Sequence, residues 1–181
     1  MSKRTSKSRP TWIDVKDKLA NFDRSGLLGL VQDLYDTHKD NQTFLHSRLG
    51  LGEDILKPYK QTIERWVSPD VFKDDQRTSV TKAKQAISSY KKAVGDAGGL
   101  AELMVYYCEC ASDFSCSYGN DDVDYLNALV RMFAQALATA TTLPADSQAA
   151  LRARLEQVCE NCHNLGYGVG DSMDDILLEY T

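Results

Sequence analysis

The 181-residue chain has no apolar run long enough to cross a bilayer, since its greasiest stretch, Leu100 to Cys108, already contains Glu102; a spanning helix needs about 20 consecutive apolar residues. No apolar segment follows Lys3, Arg4, Lys7 and Arg9, so a secretory signal is not expected. The expected setting is cytoplasmic, with no membrane partner. Runs of alternating β-branched residues bounded by turn signals are missing as well, which excludes a sheet-built fold. There is no G-x-S-x-G and no G-x-x-x-x-G-K-[ST], and the only histidines are His38, His46 and His163. These gaps remove the signatures of a serine hydrolase and of a phosphate-binding loop.

Cations are scarce in one half only. Residues 1–99 hold eighteen Lys/Arg against thirteen Asp/Glu, whereas residues 100–181 hold three against thirteen. The halves carry +5 and −10, an asymmetry that suits oriented packing, self-association or an electrostatic partner. The five cysteines are an odd set in a reducing compartment and are expected to be free thiols.

What is present is helical periodicity almost throughout. The pattern predicts an all-α fold of eight or nine helices in antiparallel hairpins, arranged as a bundle or a short right-handed array of the HEAT or tetratricopeptide kind. Residues 1–10 read as a disordered basic tail and 11–181 as one domain, with a possible subunit break in the polar segment 68–79. Thr11 and Asp14 form a capping box for a first helix that buries Trp12, Val15, Leu19 and Phe22. Ser25 opens a second, with Leu27, Leu28, Val31 and Leu34 inward, and a short third runs from Asn41 to a stop at Gly50. A fourth starts at Glu53, with Pro58 either kinking it or marking its true first turn. Val71 and Phe72 tuck under neighbouring helices. The fifth is capped by Ser79 and stopped by Gly95, and the sixth runs from about Gly99 to Tyr118 with Gly119 as its stop. The seventh begins near Asp121 and Asp122, the eighth runs from Pro144 to Gly166, and Asp171 or Ser172 caps a last short one. Helices five and six, then seven and eight, are the expected hairpins.

Cys159, Asn161, Cys162 and His163 fall in C-x-x-C-H, the spacing that attaches c-type haem. Leu151, Leu155, Val158, Cys162 and Leu165 nevertheless form an apolar stripe, so a buried helix accounts for Cys162 and no cofactor is expected. Cys159, Cys162 and His163 share one flank and are the candidate metal or redox residues. Cys108, Cys110 and Cys116 do not converge with one another on a helix. Glu160 and His163 make an E-x-x-H pair, but no second such pair exists to complete a di-iron site. It reads as a surface contact.

Gly95 to Gly99 and Gly166 to Gly170 follow helices rather than strands, and read as helix stops. Tyr167 and Asp171 still offer an exposed aromatic and acidic contact surface. Lys82, Lys84, Lys91 and Lys92, with Lys57, Lys60 and Arg65, are candidates for a basic ridge that meets phosphates.

Leu34 and Tyr35, followed by Asn41, Phe44, Leu45 and Arg48, then Tyr59 and Ile63, then Ala83, Ile87, Tyr90 and Gly95, and finally Asn164 to Gly168 with Glu179 and Tyr180, give the chain from Trp12 onward a pattern that resembles a small family of bacterial all-helical proteins of unknown function. The resemblance implies an all-helical fold and a bacterial cytoplasmic setting, and no activity or cofactor. C-x-x-C-H is not part of it.

The function expected from these residues is a non-enzymatic scaffold binding a protein partner through a groove between hairpins, in a homodimer whose basic and acidic halves face each other. The alternatives are a nucleic-acid-associated protein using the basic tail and the lysines, and a metal or redox protein using Cys159, Cys162 and His163.

Overall fold

A computed structural model describes residues 9–73 and 77–180, and the described residues form nine α-helices and no strand. The expected tail falls mostly outside them. The helices are α1 (Trp12–Leu19), α2 (Arg24–Thr37), α3 (Lys39–Arg48), α4 (Lys57–Val67), α5 (Val80–Ala93), α6 (Ala97–Tyr118), α7 (Val123–Ala140), α8 (Ala145–Cys162) and α9 (Val169–Glu179). The chain clusters into two units, Met1–Leu45 and His46–Thr181. Both α4 and α5, which flank segment 68–79, lie in the second.

Local chemistry sets the helix ends. Thr11 and Asp14 form the capping box of α1, with the Asp14 carboxylate accepting from Thr11 N–H at 2.6 Å. Helix α2 starts before Ser25, because Asp23 accepts from Gly26 N–H at 2.7 Å and is the better-placed cap. Pro58 marks the true first turn of α4, and the chain from Glu53 to Leu56 is not helical. Asp96 caps α6 through Gly99 N–H at 2.7 Å, two residues ahead of the expected start. Gly95 and Gly119 end α5 and α6 at φ 74° and 69°, where glycine carries no Cβ penalty. Helix α8 stops at Cys162 rather than Gly166, and α9 begins at Val169 behind Gly168, which leaves Asp171 inside its first turn.

In the first unit no residue of α1 or α2 is buried. The expected inward faces of both helices are open: Trp12 is 69%, Phe22 47% and Leu28 61% exposed. An 8-residue and a 14-residue helix provide too little facing surface to bury each other, whatever their periodicity.

The second unit has a continuous core. Tyr59, Ile63 and Val67 of α4 meet Ile87 and Tyr90 of α5, and Tyr59 stands edge-on to Tyr90 at 5.4 Å between centroids. Leu103, Tyr107, Ala111 and Phe114 of α6 join Leu126, Leu129, Phe133 and Leu137 of α7, and Leu155, Val158 and Cys162 of α8 continue the cluster to Val169 and Met173 of α9. The most extensive pairing is α6 with α7, then α4 with α5 and α6 with α8, whereas the expected pairs α5–α6 and α7–α8 touch far less. Helices α4, α6 and α8 thus lie side by side, and α9 rests on both α7 and α8. Pro69 is buried, and Ser79 N–H donates to Trp66 C=O at 2.8 Å. Phe72 is 88% exposed and Val71 is open as well, so this pair does not tuck inward.

Candidate functional site

The turn between α8 and α9 is the most chemically dense part of the second unit. Cys159 and His163 are four residues apart, one turn along α8 and its cap, so both side chains leave the same face. The chain then reverses through Tyr167 and Gly168, both left-handed at φ 63° and 66°. For tyrosine that conformation is costly. It returns α9 so closely that a Cβ on Gly170 would lie 2.4 Å from His163 Cδ2 and 2.8 Å from its Cα, which is why this position is glycine. Asp174, one turn further along α9, faces back onto the pair.

Three donors meet there. Cys159 Sγ lies 3.2 Å from Asp174 Oδ1 and 3.8 Å from His163 Nε2, and His163 Nε2 lies 3.0 Å from Asp174 Oδ2. The three ligand atoms all fall within 4.8 Å of one another, with Cys159 buried and the other two exposed. Burial, and then the hydrogen bond and charge of Asp174, push the Cys159 thiol up to about 12. A nucleophilic cysteine needs the opposite shift, and a Cys–His–Asp relay needs thiol and carboxylate on opposite ring nitrogens. Here both address Nε2.

Of the residues singled out in the sequence, the structure joins Cys159 and His163 and separates Cys162, which is fully buried among apolar side chains. Cys159 is itself only 2% exposed, so C-x-x-C-H presents no pair of outward thiols for haem. His163 pairs with Asp174, not with Glu160, because α9 brings a carboxylate nearer than the helix's own. Asp174, legible in the sequence only as one acidic residue near Tyr167, is not announced as a partner of His163, from which it lies eleven residues away across a turn whose path no motif marks. The legible signal was the i, i+4 Cys–His spacing, a pattern that places two ligands on one helix face.

A second concavity, of about 550 Å³, crosses α4, α6 and α8 and is lined by Glu64, Tyr106, Glu109, Cys110, Asp113 and Arg154, among others. Arg154 donates through Nε and Nη2 to both Glu109 oxygens at 2.7 and 2.8 Å and also binds Glu102, which Lys60 contacts at 2.6 Å. Tyr106 O–H donates to Glu64 Oε2 at 3.1 Å. Burial pushes the Cys110 thiol up to about 12, and burial and Glu109 raise the Asp113 carboxyl.

The lysines do not line one ridge. Lys82 and Lys84 point about 200° apart around α5. Lys82 Nζ sits 3.8 Å from the centroid of the Trp66 ring, which Arg65 also faces at 4.6 Å, while burial and then Arg131 lower the Lys84 ammonium. Lys91 and Lys92 are exposed on the last turn of α5, and Lys60 is occupied by Glu102. Tyr167 and Asp171 are both exposed, and Asp171 lies in the first turn of α9 rather than at its cap.

Compared with family models, with curated proteins and with solved structures, the chain finds no match in any. Among the described residues no helix is long and apolar enough to cross a membrane.

Proposed function

We propose that this chain is a non-enzymatic helical scaffold that takes up a partner protein on the apolar faces of α1 and α2, and that the partner is a second copy of the chain. The reading rests on one observation: α1 and α2 bury none of their residues, yet carry Trp12, Ile13, Leu27, Leu28, Val31 and Leu34 in the open. Each such side chain forgoes part of the roughly 1.5–3 kcal/mol that full burial provides. Exposed apolar surface of this extent marks an interaction site. A second copy satisfies it because one face serves both sides of a two-fold contact, and four amphipathic helices enclose a core that two cannot. The resemblance to a bacterial helical family, and the cytoplasmic setting it implies, belong to the same proposal.

Size-exclusion chromatography with light scattering, over a range of concentrations and in low and high salt, tests it. A dimer that persists in high salt and becomes monomeric on Leu28→Asp or Val31→Asp is expected. A monomer at every concentration removes the proposal. A dimer lost only in high salt would instead assign the contact to the charged halves.

A further inference from the structure

We propose that Cys159, His163 and Asp174 form a binding site for a divalent transition metal, with zinc the best chemical match, that fastens α9 to the end of α8. The proposal is independent of the dimer.

Its basis is the direction in which the donors point. A ring nitrogen has either one hydrogen or one lone pair to offer. If Nε2 carries the hydrogen, Asp174 Oδ2 takes it at 3.0 Å while Oδ1 takes the thiol hydrogen at 3.2 Å, and the trio closes as an ion pair with a hydrogen-bonded thiol. If Nε2 carries the lone pair, a soft thiol, an imidazole lone pair and a carboxylate all aim at one point. A divalent cation can take all three at once, and the three ligand atoms already lie within 4.8 Å of one another. Tetrahedral zinc, with bonds of about 2.3 Å to sulfur and about 2.0–2.2 Å to nitrogen and oxygen, sets such donors about 3.3–3.6 Å apart. Sulfur and nitrogen stand 3.8 Å apart, and Asp174 approaches them through different oxygens at 3.2 and 3.0 Å. One atom from each residue falls within 4.8 Å of the others, so a small turn of the carboxylate brings a single oxygen to that spacing.

The donor set also selects the metal. Thiolate and imidazole ligands disfavour magnesium and calcium, whereas zinc accepts sulfur, nitrogen and carboxylate oxygen together. Binding releases the Cys159 proton to solvent, because the thiolate is the ligand. The buried thiol closes one side of the site, and His163 and Asp174, with side chains 42% and 50% exposed, leave the other open to solvent for a fourth ligand. Two helices supply the protein donors, and the left-handed turn at Tyr167 and Gly168 fixes their approach. The metal therefore ties the final helix to the one before it.

The test uses the full chain, stripped with chelator and titrated with zinc and, as a spectroscopic probe, cobalt(II). One equivalent of either metal should bind, and the cobalt form should show a sulfur-to-metal charge-transfer band that is absent in Cys159→Ser. His163→Ala and Asp174→Asn should each weaken binding by about 100-fold or more, at least what loss of a supporting outer ligand costs. Cys162→Ala should leave affinity unchanged. Far-UV circular dichroism establishes that each variant is folded, and Asp174→Asn keeps both the shape and the exposure of its site. The proposal is overturned if the folded wild type takes up no stoichiometric metal, which would leave the trio as an ion pair with a hydrogen-bonded thiol. It is equally overturned if Asp174→Asn binds as well as wild type, or if folded Cys162→Ala loses the metal.

Discussion

Two glycines show how a single missing Cβ governs the packing. A methyl on Gly99 would come 1.9 Å from the Tyr90 hydroxyl and 2.6 Å from its ring, with Leu56 at 3.2 Å behind. Tyr90 is buried in the core and cannot swing out. Gly99→Ala is therefore expected to destabilise the fold by about 2–3 kcal/mol, although alanine is the better helix former by about 1 kcal/mol. Urea denaturation measures the sign directly, and a gain in stability would refute the packing account. Gly170→Ala meets His163 backbone as well as side chain, so the same measurement should show a loss there too.

At the scale of elements, α4, α6 and α8 are cross-linked by a run of charges: Lys60 to Glu102, Glu102 to Arg154, Arg154 to Glu109. Burial alone would raise the Glu102 carboxyl, but the hydrogen bonds and charges of Arg154 and Lys60 outweigh it and hold it below its ordinary value. A folded value below the unfolded one means the stabilisation is fully present above the unfolded value, about 4.3, and is lost as pH falls through the folded one. Thermal melts should accordingly drop in temperature below about pH 4. Glu102→Gln should cost about 1–2 kcal/mol near neutral pH and make the acid limb shallower; both partners are partly exposed, which keeps the figure small. An unchanged acid limb in Glu102→Gln would show that other carboxylates set it.

At the scale of the whole molecule, the five cysteines report how tightly the second unit is closed. Cys108, Cys159 and Cys162 are buried, Cys110 is half-buried in the cleft, and Cys116 is exposed. Burial raises all five thiols, to about 12 for Cys110, Cys159 and Cys162. At pH 8 a thiol near 12 is about one part in ten thousand thiolate, so it reacts slowly even where reagent reaches it. A chromogenic disulfide reagent should titrate one thiol quickly in the native protein, removed by Cys116→Ser, and five in denaturant. Two or more fast thiols in the native state would mean that the second unit opens readily.

The sequence by itself determined that the chain is all helical, where α3, α5 and α6 stop, and which faces of α4 to α9 are apolar, because a 3.6-residue period, side-chain caps and left-handed glycines act within one or two turns of chain. It also marked Cys159 and His163, whose spacing is local. Only the tertiary structure decided that Cys162 belongs to the core while Asp174 completes the pair, since that depends on how α9 returns through Tyr167 and Gly168. Tertiary structure likewise decided that α6 pairs with α7 and that the apolar stripes of α1 and α2 bury none of their residues. Periodicity says which side of a helix avoids water. It does not say whether enough complementary surface is within reach to cover that side.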